Sequence, residues 1–284
     1  MRNDKTRELV LLALFAAIIL LMAFTNLGYI PLGVINATII HIPVIIGALF
    51  LGPKKGAMLG FLFGLTSFIN NTYKAATASA FVFSPVLAYD LVGWTGIPRS
   101  IYICFVPRIL VGVVPYFVFV FVKWLLKNEN KIGKIAVNAI AGVIIGFAIR
   151  AYLVRRFDSI NSTAGTVIGV VVALALFAVL YFITYKKTSA TVSYIYAGLT
   201  GAFTNTLLVM SGIYILYKNA YAHKIEKAPD EVMDVIMGVV TFNGIVEAVV
   251  AAIIVVAIGT ALTHVVPTYD VKPALEKKNA SSEK

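Results

Sequence analysis

Of 284 residues, 60% are hydrophobic and 13% charged, and the mean hydropathy is +0.91, which excludes a soluble domain with a polar shell. The apolar runs continue over about 18 residues or more instead of alternating in segments of about ten, which excludes a membrane β-barrel and leaves an all-α, polytopic membrane helical bundle. The formal net charge of +11 comes from basic residues gathered at the ends of apolar spans, so it carries no nucleic-acid signal, and the single cysteine, Cys104, excludes an intramolecular disulfide and a cysteine-based metal site.

Apolar spans lie near 8–30, 38–52, 56–72, 101–122, 135–153, 164–185, 192–217 and 233–263. The first begins behind Arg2, Lys5 and Arg7 and lacks the small-residue cleavage site of a secretory signal, so it reads as a retained helix. With the N-terminus in the cytoplasm, that side also holds Lys54, Lys55, Lys123, Lys127, Lys131, Lys134, Lys186, Lys187 and the tail lysines. The other side holds Lys74, Arg99, Arg150, Arg155, Arg156, Lys218, Lys224 and Lys227. The bias predicts that both termini are cytoplasmic, with Arg150, Arg155 and Arg156 as the exception.

Between the second and third spans, Gly52 and Pro53 break the helix, and Lys54 and Lys55 supply charges that cannot sit in hydrocarbon. This is a membrane hairpin. Gly52, Gly56, Gly60 and Gly64 recur every fourth residue, which puts them on one helix face and admits a close partner helix. The same span ends in the polar cluster Ser67, Asn70, Asn71 and Thr72, which packing alone does not explain.

Residues 128–190 read as an inserted transmembrane hairpin, because two spans return the chain to the side it left. Gly142 and Gly146, then Gly165 and Gly169, suit a packed helix pair, and the connection could pair Arg155 or Arg156 with Asp158. The membrane core is then 1–127 with 191–265. Residues 266–284 form a cytoplasmic tail whose charged end, KPALEKKNASSEK, lacks apolar periodicity and is expected to be disordered.

Enzyme chemistry has little support. His41, His223 and His264 are separated by whole helices, and there is no HExxH, no DxxD and no Gly-rich phosphate loop. Intramembrane hydrolysis would need a Glu and a His from different helices, for instance Glu247 and His41, and nothing marks a metal or a nucleophile. No catalytic residue, metal or cofactor is expected.

The stronger signal is a set of polar residues within or just outside the apolar spans: Asn36, Asn70, Asn71, Tyr89, Asp90, Arg99, Arg108, Asn205, Asn243 and Glu247. An ionisable group in a span faces a cavity or a partner, so Arg108 and Glu247 either contact a ligand or pair with each other, and Arg108 has the further option of snorkelling to the interface. Asn205 and Asn243 carry amides that donate and accept at once, which suits either a neutral polar ligand or an interhelical hydrogen bond.

Five blocks carry a resemblance. PLGVINATIIHIPVIIGALFLGPKKGAMLGFLFGLTSF, FSPVLAYDLVGWTGIPRSIY, VPRILVGVVPYF, AGLTGAFTNTLLVMSGIYILY and FNGIVEAVVAAII, in this order, resemble the substrate-binding S components of energy-coupling factor (ECF) vitamin importers. The resemblance covers about residues 8–127 and 191–263 and leaves the 128–190 hairpin outside the six-helix pattern. It implies a vitamin bound in a cavity near the outer face, formed by the loops after helices 1 and 3 and the outer halves of the last three core helices. It also implies a protein without its own ATPase, served by a membrane coupling subunit and two cytoplasmic ATPase subunits, which topples in the bilayer to release cargo. The family's AxxxA docking motif matches Ala13 and Ala17, one turn apart, whose small side chains let a partner helix approach.

SPVLAYD, GIPRS and TNTLLVMSGIY look most like the pantothenate-type members. On that reading Arg99 or Arg108 meets a carboxylate and Asn205 and Asn243 meet an amide and hydroxyls, while Glu247, if unpaired, would repel the acid. Riboflavin, a B6 vitamer or another micronutrient are the alternatives, and thiamin fits less well because a cationic ring calls for aromatic and acidic neighbours. The rival class is a stand-alone membrane protein, either an intramembrane enzyme or a secondary transporter, and for the latter the expected half-to-half repeat is not visible.

Overall fold

The computed structural model describes residues 2–25, 27–31, 36–126, 131–156 and 160–269. The chain divides into two compact units, one made of residues 1–118 and 195–284, the other of residues 119–194. In chain order the elements are α1 (Arg2–Phe24), β1 (Tyr29–Pro31), β2 (Asn36–Thr38), α2 (His41–Leu51), α3 (Pro53–Lys74), α4 (Ala80–Phe83), α5 (Pro85–Val92), a 3-10 turn (Gly93–Thr95) and α6 (Gly96–Val111). They continue with α7 (Val114–Leu125), α8 (Lys131–Arg156), α9 (Ser162–Tyr185), α10 (Ser189–Lys224) and α11 (Val232–Thr263).

Six stretches among the described residues are long and apolar enough to cross a membrane: Lys5–Phe24, Pro85–Leu125, Lys131–Ala151, Ser162–Tyr185, Ser189–Lys224 and Val232–Thr263. The protein is an all-α polytopic membrane protein. Three predicted spans take a different form. The 38–52 span is α2, whose 11 residues reach about 16 Å at 1.5 Å per residue, about half of a hydrocarbon core, and every one of them is buried. The 56–72 span is α3, 22 residues long, whose buried face carries glycine, threonine, serine and asparagine beside Leu59 and Phe63. The 101–122 span is broken at Gly112 and Val113 into α6 and α7.

The stretch after α3 reads as a loop in sequence and is helical in the structure. Ser84 caps α5, its Oγ accepting from Leu87 N at 3.3 Å, and Pro85 occupies the first turn, where a missing N–H costs nothing. The segment after α1 forms a small antiparallel hairpin, with Tyr29 opposite Thr38 and Pro31 opposite Asn36.

In the first unit, α1 buries Leu11, Phe15, Ile19 and Ala23, a stripe at four-residue spacing, and leaves Ala13 and Ala17 exposed beside Leu14 and Ile18. Lys55 at the start of α3 pairs with Glu8 of α1. The α3–α6 contact is a ladder in steps of four on both helices. A β-carbon at Gly64 would lie 3.0 Å from Cys104 O, one at Gly60 2.2 Å from Arg108 O, and one at Gly56 2.1 Å from Gly112 O. Gly52 does not belong to this ladder: it sits in the turn at φ 85°, against the ring of Tyr269. Tyr269 N donates to Leu49 O at 3.0 Å and Val266 is buried, so the first residues of the predicted tail pack on this unit.

In the second unit, α8 and α9 pair along the predicted glycines, a β-carbon at Gly146 falling 2.6 Å from Gly169 O. Asn138 Nδ2 donates to Thr184 Oγ1 at 2.8 Å, and Arg150 donates to Thr166 at 2.8 Å and Ser162 at 3.0 Å. Pairing of Arg155 or Arg156 with Asp158 lies outside the described side chains.

Candidate functional site

The α3–α6 ladder places Arg108. Pro107 has no N–H for the carbonyl of Ile103, one turn back, and Arg108 Nη1 donates to that carbonyl at 2.7 Å. Its guanidinium carbon lies 4.6 Å from the centroid of Phe83 and 5.4 Å from that of Phe63, which hold the plane of the group by cation–π contact. Arg108 is 3% exposed. An arginine so deep in an apolar bundle has its position fixed before any ligand arrives.

It lines a pocket of the first unit that is partly open to solvent. Ser67 and Asn71 come from α3, Thr38 from β2, and Asn205, Thr206, Val209 and Met210 from α10. From α11 come Val239, Asn243 and Glu247, each four residues from the next and so on one face. The wall is therefore mixed: a cation, amides and hydroxyls on some sides, and Phe83, Val209, Met210 and Val239 on others.

Glu247 holds the small hairpin over this space. Its Oε1 accepts from Thr38 N at 2.7 Å and its Oε2 accepts from Thr206 Oγ1 at 3.1 Å. Asn205 Nδ2 donates to Thr38 Oγ1 at 3.3 Å, so one strand residue is tied to both α10 and α11. Both oxygens of Glu247 are thus engaged by neutral donors of the protein itself. Asn205 Oδ1 is buried and accepts no hydrogen bond among the described residues, although an unmet buried acceptor costs about 1–3 kcal/mol. A ligand N–H or O–H would satisfy it.

Of the residues singled out in the sequence, the structure brings together Arg108, Asn205, Asn243, Glu247 and Asn71. It places the others elsewhere. Asn70 turns away from the cavity and donates to Ala23 O of α1. Tyr89 and Asp90 are exposed on α5, Tyr89 packing edge-on against Trp94 at 5.2 Å. Arg99 Nη1 donates to Leu216 O at 3.1 Å, beside a bend in α10 where Tyr217 leaves helical values (φ −132°, ψ 15°) and its hydroxyl donates to Gly96 O at 2.7 Å. The backbone of Asn36 lies in β2, and its side chain is outside the described residues. Sequence reasoning missed Thr38, Ser79, Phe83, Thr206, Val209, Met210 and Val239 as lining residues. The polar α3 residues Ser67 and Asn71 were marked by the glycine face itself: continuing Gly56, Gly60 and Gly64 by three and then four residues reaches them and bypasses Asn70. Among the described residues no group of histidine, cysteine and carboxylate side chains is arranged to hold a metal ion.

The family model described as "ECF transporter, substrate-specific component" matches residues 7–157, just over half of the chain, from α1 to the end of α8. The chain is 40% identical over 125 residues to the pantothenic acid transporter PanT of Lactococcus lactis subsp. cremoris, a match covering 42% of this chain and 61% of that protein. It is 34% identical over 135 residues to the pantothenate transporter PanT of Leuconostoc mesenteroides subsp. mesenteroides, covering 46% of this chain and 57% of that protein. The chain thus spans about three fifths of the length of these curated relatives.

Proposed function

The chain belongs to the substrate-specific components of ECF transporters, and within that family we propose that it is the subunit that captures pantothenate for uptake. The observation that carries this reading is Arg108, held by Ile103 O, Phe63 and Phe83 at the wall of a cavity that also presents the amides of Asn205 and Asn243. Pantothenate has one carboxylate, one amide, two hydroxyls and a gem-dimethyl group. The carboxylate goes to Arg108, the amide and hydroxyls to Asn205, Asn243, Ser67 and Asn71, and the methyl groups to Val209, Met210 and Val239. Two similar proteins named as pantothenate transporters support the same cargo. The site binds and releases without making or breaking bonds in the cargo, so the protein is a carrier subunit and not an enzyme. Native mass spectrometry of the protein purified from cells tests the cargo: co-purified pantothenate is the expected adduct, and riboflavin or a B6 vitamer in its place would refute it.

Asn205→Ala and Asn243→Ala are each expected to weaken binding by about 1–3 kcal/mol, because the ligand's buried donor or acceptor is then left without its partner. Thermal stability of the empty protein should change less. Isothermal titration showing unchanged affinity in both variants would return the two amides to interhelical packing.

Work comes from partners in this reading: a membrane coupling subunit and two cytoplasmic ATPase subunits. Both termini are cytoplasmic, and residues 128–190 are an insertion into a core of 1–127 and 191–265. The docking face is the exposed side of α1, where Ala13 and Ala17 leave room between Leu14 and Ile18. Ala13→Trp should abolish uptake into vesicles containing the complete importer while pantothenate binding stays within about twofold, since the bulk lies on the face away from the buried stripe of α1. Normal transport by this variant would place docking elsewhere.

A further inference from the structure

Residues 119–194 carry a charge asymmetry that the binding cavity does not use. At one end of this unit the end of α7, the start of α8, the end of α9 and the start of α10 are tied together. Ser189 Oγ donates to Leu126 O at 2.7 Å, and Lys134 Nζ donates to Lys187 O at 2.6 Å. Gly133 packs so closely that a β-carbon would lie 2.5 Å from Leu125 O. These ties gather Lys123, Lys131, Lys186 and Lys187, all exposed, at one end of the unit. Among the described residues none of the four is in an ion pair, and the two acidic residues of the unit, Glu129 and Asp158, lie outside the described residues. Lys131 and Lys134 occupy the first turn of α8, which has no acidic residue, although the helix dipole favours negative charge there. An anion at this end would relieve the repulsion among the four exposed lysines.

Apolar and aromatic side chains surround the same lysines. Trp124 is 67% exposed and Tyr185 50%, and just beyond them Ile132, Ile135, Phe182 and Ile183 are exposed as well. Lysine heads beside tryptophan and tyrosine at the end of apolar helices mark headgroup depth in a bilayer. We propose that this end of the unit is a binding site for anionic phospholipid, with the headgroup phosphate held by Lys123, Lys131, Lys186 and Lys187 and the acyl chains lying along Ile135, Phe182 and Ile183. An acidic soluble protein would answer the lysines but leave those apolar side chains uncovered, whereas a lipid answers both.

Trp124 reports on the site directly. The chain has two tryptophans, so Trp94→Phe leaves Trp124 as the only one. The full chain is reconstituted in phosphatidylcholine vesicles in which a minor fraction of the lipid carries brominated acyl chains, either as phosphatidylglycerol or as phosphatidylcholine. Brominated phosphatidylglycerol should quench Trp124 about twofold more than the same fraction of brominated phosphatidylcholine at low salt, with the difference shrinking at about 0.5 M salt. Combining Lys123→Gln, Lys131→Gln, Lys186→Gln and Lys187→Gln should remove the difference. Should the combined variant fail to fold, Lys186→Gln alone is expected to reduce it. Equal quenching by the two lipids, or a phosphatidylglycerol preference that survives loss of the lysines or high salt, overturns the proposal.

Discussion

Arg108→Gln weakens pantothenate binding by about 3 kcal/mol, on the order of 100-fold, while the affinity for pantothenol falls far less. Pantothenol keeps the amide, the hydroxyls and the gem-dimethyl group and replaces the carboxylate with an alcohol. The difference between the two losses therefore isolates the charge-assisted contact from everything else Arg108 does. That separation matters because Arg108 also closes the helical gap left by Pro107, donating to Ile103 O at 2.7 Å. Arg108→Lys keeps the charge and loses the planar fork and the fit between Phe63 and Phe83, so it should restore only part of the affinity. Isothermal titration of both ligands against the three proteins reads the outcome, and equal losses for acid and alcohol would reduce Arg108 to a structural residue.

Gly60→Leu removes binding altogether and lowers the thermal transition of the empty protein, although Gly60 is not a cavity residue. A β-carbon alone would sit 2.2 Å from Arg108 O, and backbone on the facing helix cannot swing aside as a side chain can. Overpacking of this kind costs about 1–3 kcal/mol or more, and relief requires α3 and α6 to separate at the very turn that positions Arg108. Gly238→Ala on α11 is the control. Nothing lies within 4 Å of a β-carbon there, and alanine favours a helix over glycine by about 1 kcal/mol, so this variant should bind normally and melt no lower. Wild-type affinity in Gly60→Leu would break the link between the glycine ladder and the site.

Hydropathy carried most of the fold, because a bilayer forces backbone polar groups into helices and long apolar runs have no other use. It failed where an element hides from lipid. The 11 residues of α2 look like part of a span because all but His41 are apolar, yet that run is apolar because every residue of it is enclosed by protein. Residues 101–122 read as one helix, and Gly112 beside Pro107 and Pro115 was the local warning that it is two. The Ser84–Pro85 pair likewise announced the start of α5 within a stretch that composition reads as loop. The site was partly legible for the same reason that charges in spans are: Arg108 and Glu247 must be answered by something. Choosing Asn71 over Asn70 needed the phase of α3, which its glycines supply. The role of Thr38 was out of reach, because its backbone N–H, not its side-chain type, is what Glu247 takes hold of.

Equilibrium titration of pantothenate into the purified full-length protein is the measurement closest to the central claim, with riboflavin and pyridoxal as parallel ligands. The account predicts saturable one-to-one binding of pantothenate, no heat from the other two, and loss of the signal in Arg108→Gln. No binding of pantothenate at millimolar concentration, with retention of riboflavin or a B6 vitamer, would contradict it.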